Sequence, residues 1–334
     1  MGREKTVDRI ALRRRGVVAG ALALSALAPG LARAQAFPSR PVRVLVGAPP
    51  GSAPDVAMRL MGDRLSALWR QPVVVDNRPA ANGNLAAQAC ATAEGDGHTL
   101  LFAQASILVL NEALMRNAGF HAERDFVPIS YVMSTPFLLG ARPNHPANTV
   151  ADLVRLGRRG GPGVTFATSS AANLPRFAVE LINRAGDSAM QNVPYSTTAG
   201  AIQDTIAGRT DIMIDGTPVM TPQVRGGAMK AIAVTSAERF PTLPEVPTVA
   251  ETYPGFQSVG WFCLVGPRSM LNGLVGRIAA DMKGVATMPE IKDRLLRDFA
   301  TEVVAGDPAE AAAFFAKERA TYRALVSDLR ISLD

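Results

Sequence analysis

Short apolar runs alternate along this chain with stretches in which apolar residues recur every third or fourth position, the spacings of buried strands and amphipathic helices. Val42, Val44, Leu45 and Val46 predict a strand over 42–46. Gly47-Ala48-Pro49-Pro50-Gly51 turns the chain into a helix that Val56, Leu60, Met61, Leu65 and Leu68 carry to Trp69. Strands at 73–75 and 99–102 around a helix at 84–93 continue the rhythm, which predicts a parallel sheet with helices on both faces. A second series starts at Phe137-Leu138-Leu139. It runs through helix 149–158, strand 164–167, helix 176–184, strand 191–193, helix 199–207 and strands at 211–214 and 231–234. The Pro-rich stretch 240–254 breaks regular structure before an apolar strand at 261–265 and helices at 274–286, 289–299 and 308–327. No strand is expected between those last helices, which should pack back on the first sheet.

Two α/β sheets fit this order better than one very large sheet. A chain that builds one α/β domain, inserts a second and returns to the first makes two lobes with a cleft between them. The first lobe is expected at 37–136 and 260–334, the inserted lobe at 137–259, with hinges near 134–142 and 254–264. Such a molecule closes on a ligand by hinge motion.

Residues 1–36 read differently. Arg3, Lys5, Arg9, Arg13, Arg14 and Arg15 precede the short apolar segment 16–28, and Ala32-Arg33-Ala34 and Ala34-Gln35-Ala36 offer small residues for cleavage. This predicts an export signal cleaved near Ala34 or Ala36, hence an exported protein; the segment is short for a membrane span, which leaves an uncleaved anchor as the alternative. Arg14-Arg15-Gly16-Val17-Val18 also suits a twin-arginine route. Removing the leader takes away most of the formal charge of +6: 28 basic and 27 acidic residues remain. No basic run with interleaved aromatics is left, so a nucleic-acid partner is not expected. Apart from the leader no apolar stretch reaches membrane length, so the mature protein is expected not to insert in a membrane. Cys90 and Cys263 lie in apolar contexts that suit buried thiols, although two cysteines can also pair.

The opening strand, turn and helix carry the first candidate site: Ala48, Gly51, Ser52, Ala53, Pro54 and Asp55. Ser52 and Asp55 fit a capping box, and Pro54 suits a first helical turn. Free amides and the positive end of the helix dipole would face out of the strand's carboxyl edge, where open α/β sheets bind ligands. A second such turn is Ser169-Ser170-Ala171-Ala172-Asn173, with Asn173 placed to cap and Pro175 in the first turn. Two opposed helix ends can clamp two carboxylates; a plain capped turn is the alternative reading of each. Gln104, Ser106, Tyr195 and Asp215 follow other strands and are expected at the same cleft. A buried aspartate is costly unless bonded, so Asp215 is expected to cap a helix or to receive an ammonium or a water, if it is not a surface turn before Gly216. His98, His121 and His145 lack metal spacing, and no nucleotide, nucleophile-elbow or Cys/His motif occurs. No catalytic residue, metal or cofactor is expected, though a triad assembled in space would leave a hydrolase as the enzymatic alternative.

Several stretches resemble one family, the extracytoplasmic solute receptors of tripartite tricarboxylate transporters, also called Bug-type receptors. They are Phe37-Pro38-Ser39-Arg40-Pro41-Val42, the segment 71–79, Gly83-Asn84, 96–101, 125–130, 231–236, 241–251 and Pro254-Gly255-Phe256. The resemblance implies a monomeric two-lobed periplasmic binding protein of the type II, clamshell kind. Such a receptor binds a small organic carboxylate between two α/β domains and passes it to a two-component membrane permease. It also implies that 51–55 and 169–173 hold the carboxylate. Here the chain departs from the family pattern: Pro-Phe-Pro-Pro-Gly-Gly-Gly-Thr-Asp becomes Gly47-Ala48-Pro49-Pro50-Gly51-Ser52-Ala53-Pro54-Asp55, and a Gly-Asn-Gly loop with its following His becomes Ser170-Ala171-Ala172 and Arg176. Ala48 replaces an aromatic wall, which points to a bulkier, aromatic acid. A receptor presenting ligand to a sensor kinase is the functional alternative.

Overall fold

The computed structural model describes residues 37–158, 163–169 and 173–330. The expected leader and three of the candidate site residues, Ser170, Ala171 and Ala172, lie outside the described residues. From Arg40 onward the chain builds two sheets that share one strand. In the first, Val42–Val46 (β1) pairs in parallel with Val73–Asn77 (β2) and Thr99–Gln104 (β3), with Ala53–Trp69 (α1) and Asn84–Ala91 (α2) as the crossovers. Short helices Ala105–Val109 (α3), Asn111–Leu114 (α4) and Ala122–Asp125 (α5) follow.

Phe126–Ala141 (β4) is the shared strand. Up to Pro136 it pairs antiparallel with Val259–Pro267 (β9), which in turn pairs antiparallel with β3. From Phe137 it belongs to the second sheet, antiparallel to both Ile212–Gly216 (β7) and Lys230–Val234 (β8). That sheet continues in parallel from β7 to Thr165–Thr168 (β5) and on to Gln191–Pro194 (β6). Its helices are Val150–Gly157 (α6), Leu174–Gly186 (α7), Thr198–Ile206 (α8) and Thr217–Arg225 (α9). The chain ends in Asn272–Ala286 (α10), Pro289–Phe299 (α11), Glu302–Val303 (β10) and Pro308–Leu329 (α12).

Four expectations need correction. The sheets are mixed, not parallel, because β4 leaves the first sheet and β9 re-enters it, and hydrophobic periodicity does not encode the direction of such strands. β4 begins at Phe126 instead of 137: Pro128 and Pro136 look like breakers, but register shifts between Pro128 and Ser130 and between Tyr131 and Met133 accommodate the irregular pairing. α9 was hidden by two prolines; Pro218 sits harmlessly in its first turn, while Pro222 lies inside the helix and gives up a backbone donor. β10 does separate the last helices, pairing with β4 at Met133 and Ser134.

The crossings between sheets lie side by side. Buried Thr235, just beyond β8, donates its amide to Phe137 O at 3.0 Å, accepts the Phe137 amide on Oγ1 at 2.9 Å, and accepts the Ser258 amide at 3.0 Å. Around them is the largest aromatic cluster of the described core. Trp261 stacks on Phe315 at 4.9 Å and donates Nε1 to Glu318 at 2.9 Å. Farther along α12, Tyr322 meets Phe177 of α7 edge-on at 6.0 Å and shares a 3.1 Å hydrogen bond with Ser258. The C-terminal helix thereby packs against elements of both sheets. It starts with a full capping box, Asp307 with Glu310, and Pro308 in its first turn. No helix of the described residues is long and apolar enough to cross a membrane.

Candidate functional site

Where β4 passes from the first sheet to the second and β9 re-enters the first, a cavity of about 330 Å³ opens, within the range of small-molecule sites. Thr135 and Phe137 of β4 and Gly260, Trp261 and Phe262 of β9 line its base. One side is Ala53 at the start of α1 and Gln104, Ala105 and Ser106 at the junction of β3 with α3. The other is Asn173, Leu174 and Pro175 at the start of α7, and Asp215, Gly216, Pro218 and Val219 where β7 becomes α9. Larger hollows, about 440 Å³ beside α9 and α11 and about 730 Å³ beside α2, do not gather strand ends from both sheets.

Three helices of eight residues or more, α1, α7 and α9, therefore begin at this cavity. Each brings the positive end of its dipole and amides without intrahelical partners. No lysine, arginine or histidine is among the described lining residues, and Asp215 is their only ionisable side chain. The field in the cleft comes from backbone dipoles, with one carboxylate set among them.

The first turn forms differently from its sequence pattern. Ser52 is the N-cap of α1 but makes no side-chain cap bond; its hydroxyl donates to Pro49 O at 2.6 Å. Asp55 does not complete a capping box either. Its carboxylate reaches one residue farther back and accepts the Gly51 amide at 2.8 Å, while Arg59 Nε donates to it at 2.9 Å. Gly51, at φ +81°, supplies the left-handed turn that makes this possible. The Gly51 amide, expected to be offered to an anion, is thus satisfied by the chain's own anion. Ala48 is buried and its carbonyl accepts from Asn77 Nδ2 at 3.0 Å. Of this group only Ala53 lines the cavity; Ala48, Gly51, Ser52, Pro54 and Asp55 form the turn behind it.

Gln104 and Ser106 line the cavity as expected from their place after β3. Asn173 does too, and it caps α7 by accepting the Arg176 amide at 3.1 Å; its Nδ2 donates to Ser169 Oγ at 3.3 Å. Tyr195 is turned elsewhere: its hydroxyl donates to Asp204 at 2.9 Å, and it does not line the cavity. Asp215 ends β7 with Oδ1 accepting the Gly216 amide at 2.7 Å. Its Oδ2 is buried. Burial pushes its pKa above the ordinary carboxylate value, against the opposing pull of the Gly216 amide and the Ser169 and Thr198 hydroxyls.

Sequence reasoning missed the aromatic base. Trp261-Phe262 was legible as an apolar strand, but only pairing with both β3 and β4 places it under the cleft. The α9 start was missed with its helix. The aromatic surface inferred to be lost at Ala48 is present after all, supplied by Phe137, Trp261 and Phe262.

Two α/β sheets joined by crossing strands, with a cavity at the crossing fed by helix N-termini, define a two-lobed periplasmic binding protein. The chain belongs to the tripartite tricarboxylate transporter family receptors, whose family model matches residues 57–331. These are solute-binding proteins, not enzymes. A Bordetella bronchiseptica protein of the UPF0065 group is 34% identical over 315 residues, 92% of this chain and 91% of its own length. An R. palustris protein solved with adipate superposes with a TM-score of 0.74 at 28% identity, covering 89% of this chain and 99% of that one. MatC from Rhodopseudomonas palustris, solved with bound malate, gives a TM-score of 0.69 at 27% identity over 87% of this chain and 100% of its own.

Proposed function

We propose that this protein captures a small organic carboxylate in the cleft between its sheets and delivers it to a two-component membrane permease of the tripartite tricarboxylate type. The observation that carries the reading is the convergence of the α1, α7 and α9 N-termini on one cavity without a lysine, arginine or histidine among its described lining residues. Backbone amides and aligned dipoles favour an anion there. The adipate and malate bound by the two R. palustris relatives support the ligand class.

In this reading residues 37–136 with 260–334 and residues 137–259 are the lobes, hinged at β4 and β9. Closure excludes water and strengthens each contact with the carboxylate. Ala53, Gln104, Ser106, Asn173 and Asp215 face the ligand. The leader exports the chain to the periplasm, where it works as a monomer.

A thermal-shift screen of the purified protein against organic acids, amino acids and sugars tests this. A ligand bound only by the folded form raises the apparent Tm by mass action. A concentration-dependent rise with one or more carboxylates is expected. A response confined to sugars, or none to any acid after bound ligand has been removed, would overturn it.

A further inference from the structure

Thr217, the first residue of α9, is turned differently from its neighbours. Gly216 and Pro218 line the cleft, whereas Thr217 does not and is completely buried. Its Oγ1 donates to the main-chain oxygen of Ala300 at 3.1 Å. Ala300 ends α11 at φ +42°, a left-handed conformation that few residues other than glycine adopt. From β4, just ahead of its passage into the second sheet, Thr135 Oγ1 reaches the same oxygen at 3.2 Å and lies 3.2 Å from Thr217 Oγ1. Three oxygens thus meet in one knot, each brought by a different element: the crossing strand, a helix of the second sheet, and α11, which follows β9. Beyond the knot the two helices part. A hollow of about 440 Å³ is lined by Pro222 and Arg225 of α9 and by Asp293, Leu296 and Arg297 of α11. The arginines pair elsewhere, Arg225 with Thr242 O at 2.9 Å and Arg297 with Asp298 at 3.1 Å. α9 is therefore held to α11 at its first residue, the end that faces the cleft.

Resting on the receptor reading above, we propose that Thr217 is a positioning residue for the solute: through Ala300 it pins the start of α9 to the first lobe at the hinge, so that this wall of the cleft is set before a solute enters. The two hydroxyls hold two protons, and both can point to Ala300 O, which has two lone pairs to receive them. A carbonyl at a helix C-terminus has no partner within its helix, and burying it without a donor is costly, which keeps α9 from drifting off α11 as the lobes swing. The knot includes Thr135, the residue before Pro136, where β4 leaves the first sheet, so it lies where hinge motion displaces atoms least. A helix displaced at its N-terminus would carry its amides and its dipole away from the carboxylate.

Thr217→Val removes the hydroxyl at nearly constant shape, and Thr217→Ser keeps it. Because Thr217 does not line the cleft, a change in affinity must pass through the position of α9. Isothermal titration with malate and with adipate is expected to show binding weakened about fivefold in Thr217→Val, the fold-change of one net hydrogen bond, and restored in Thr217→Ser. Melting curves establish that both variants are folded. A second readout needs no solute. Spin labels on Ala67→Cys of α1 and Gln203→Cys of α8, both at exposed positions, report the distance between the lobes, and the natural cysteines are buried. The distance distribution should broaden in Thr217→Val and regain its width in Thr217→Ser. An unchanged distribution in folded Thr217→Val would overturn the proposal, as would unchanged affinity for an acid that the unaltered protein binds; the carboxylate receptor would stand. A Thr217→Ser variant that behaves like Thr217→Val would assign the effect to the methyl group and overturn it as well. Should neither acid bind the unaltered protein, the distances alone decide the role of Thr217, and the wider screen decides the receptor reading.

Discussion

Asp55 shows how one side chain redirects a site. It is 3% exposed at the first turn of α1, where its negative charge complements the helix dipole. Burial alone would raise its pKa; the Arg59 hydrogen bond, the Gly51 amide, Asn77 and the Arg59 charge together hold it below the usual 3.8. A depressed carboxylate stabilises the fold fully above its unfolded pKa, and that contribution is lost as pH falls through the lower folded value. Asp55→Ala should therefore cost about 2 kcal/mol at neutral pH, with the charged hydrogen bonds from Arg59 and the Gly51 amide lost. In urea titrations the difference from the unaltered protein should shrink once the pH drops below 3.8. A constant difference across that range would mean that Asp55 acts by packing alone. The Ser-x-x-acid pattern was legible in the sequence, but which amide the acid would take depended on the positive φ of Gly51.

At the scale of elements, the turn after β1 is fixed by a close approach between backbones. A Cβ on Gly83 would lie 2.8 Å from Gly47 O and 3.1 Å from Gly47 Cα, and Gly83 itself sits at φ +84° as the N-cap of α2. Gly83→Ala should cost about 1–3 kcal/mol through left-handed strain. Since the displaced backbone leads into the turn ahead of α1, ligand affinity should fall as well, which a melting curve and titration of the same variant would separate. If stability and affinity both stayed unchanged, the approach would not matter to the site. Elements whose apolar spacing is regular, such as α1, α8, α11 and β1, were legible within a few residues of their ends. β4 and α9 were not, because proline's local penalty is offset in them by register shifts and by packing that no local pattern records.

For the whole molecule, cohesion follows from what the two sheets share. β4 runs through both, Thr235 ties the crossings, and α12 reaches Trp261 in the first sheet and Phe177 on α7, a helix of the second. Unfolding should be a single cooperative transition, with near-UV and far-UV dichroism changing together. Cys90 and Cys263 offer an independent reporter, since both are free and buried. Burial pushes the Cys90 thiol up to about 12 and raises that of Cys263 as well. Neither should react with a thiol reagent at neutral pH until the protein unfolds, and both should then react together. Reaction of Cys90 well before Cys263 would instead show that the first sheet opens locally.

The sequence by itself determined the alternation of strands and helices, the return of the C-terminal helices to the first sheet, the capping of α7 by Asn173, and the residues that follow β3 and β7. Those features rest on side-chain periodicity and on local hydrogen bonding, which act over a few residues. Tertiary structure decided the rest. It set the direction of β4 and β9 and brought Trp261 and Phe262 beneath the cleft, beside the strand end that carries Asp215. Each depends on segments distant in sequence meeting at one crossing, and the free energy that places them there is pairwise burial, which periodicity does not encode.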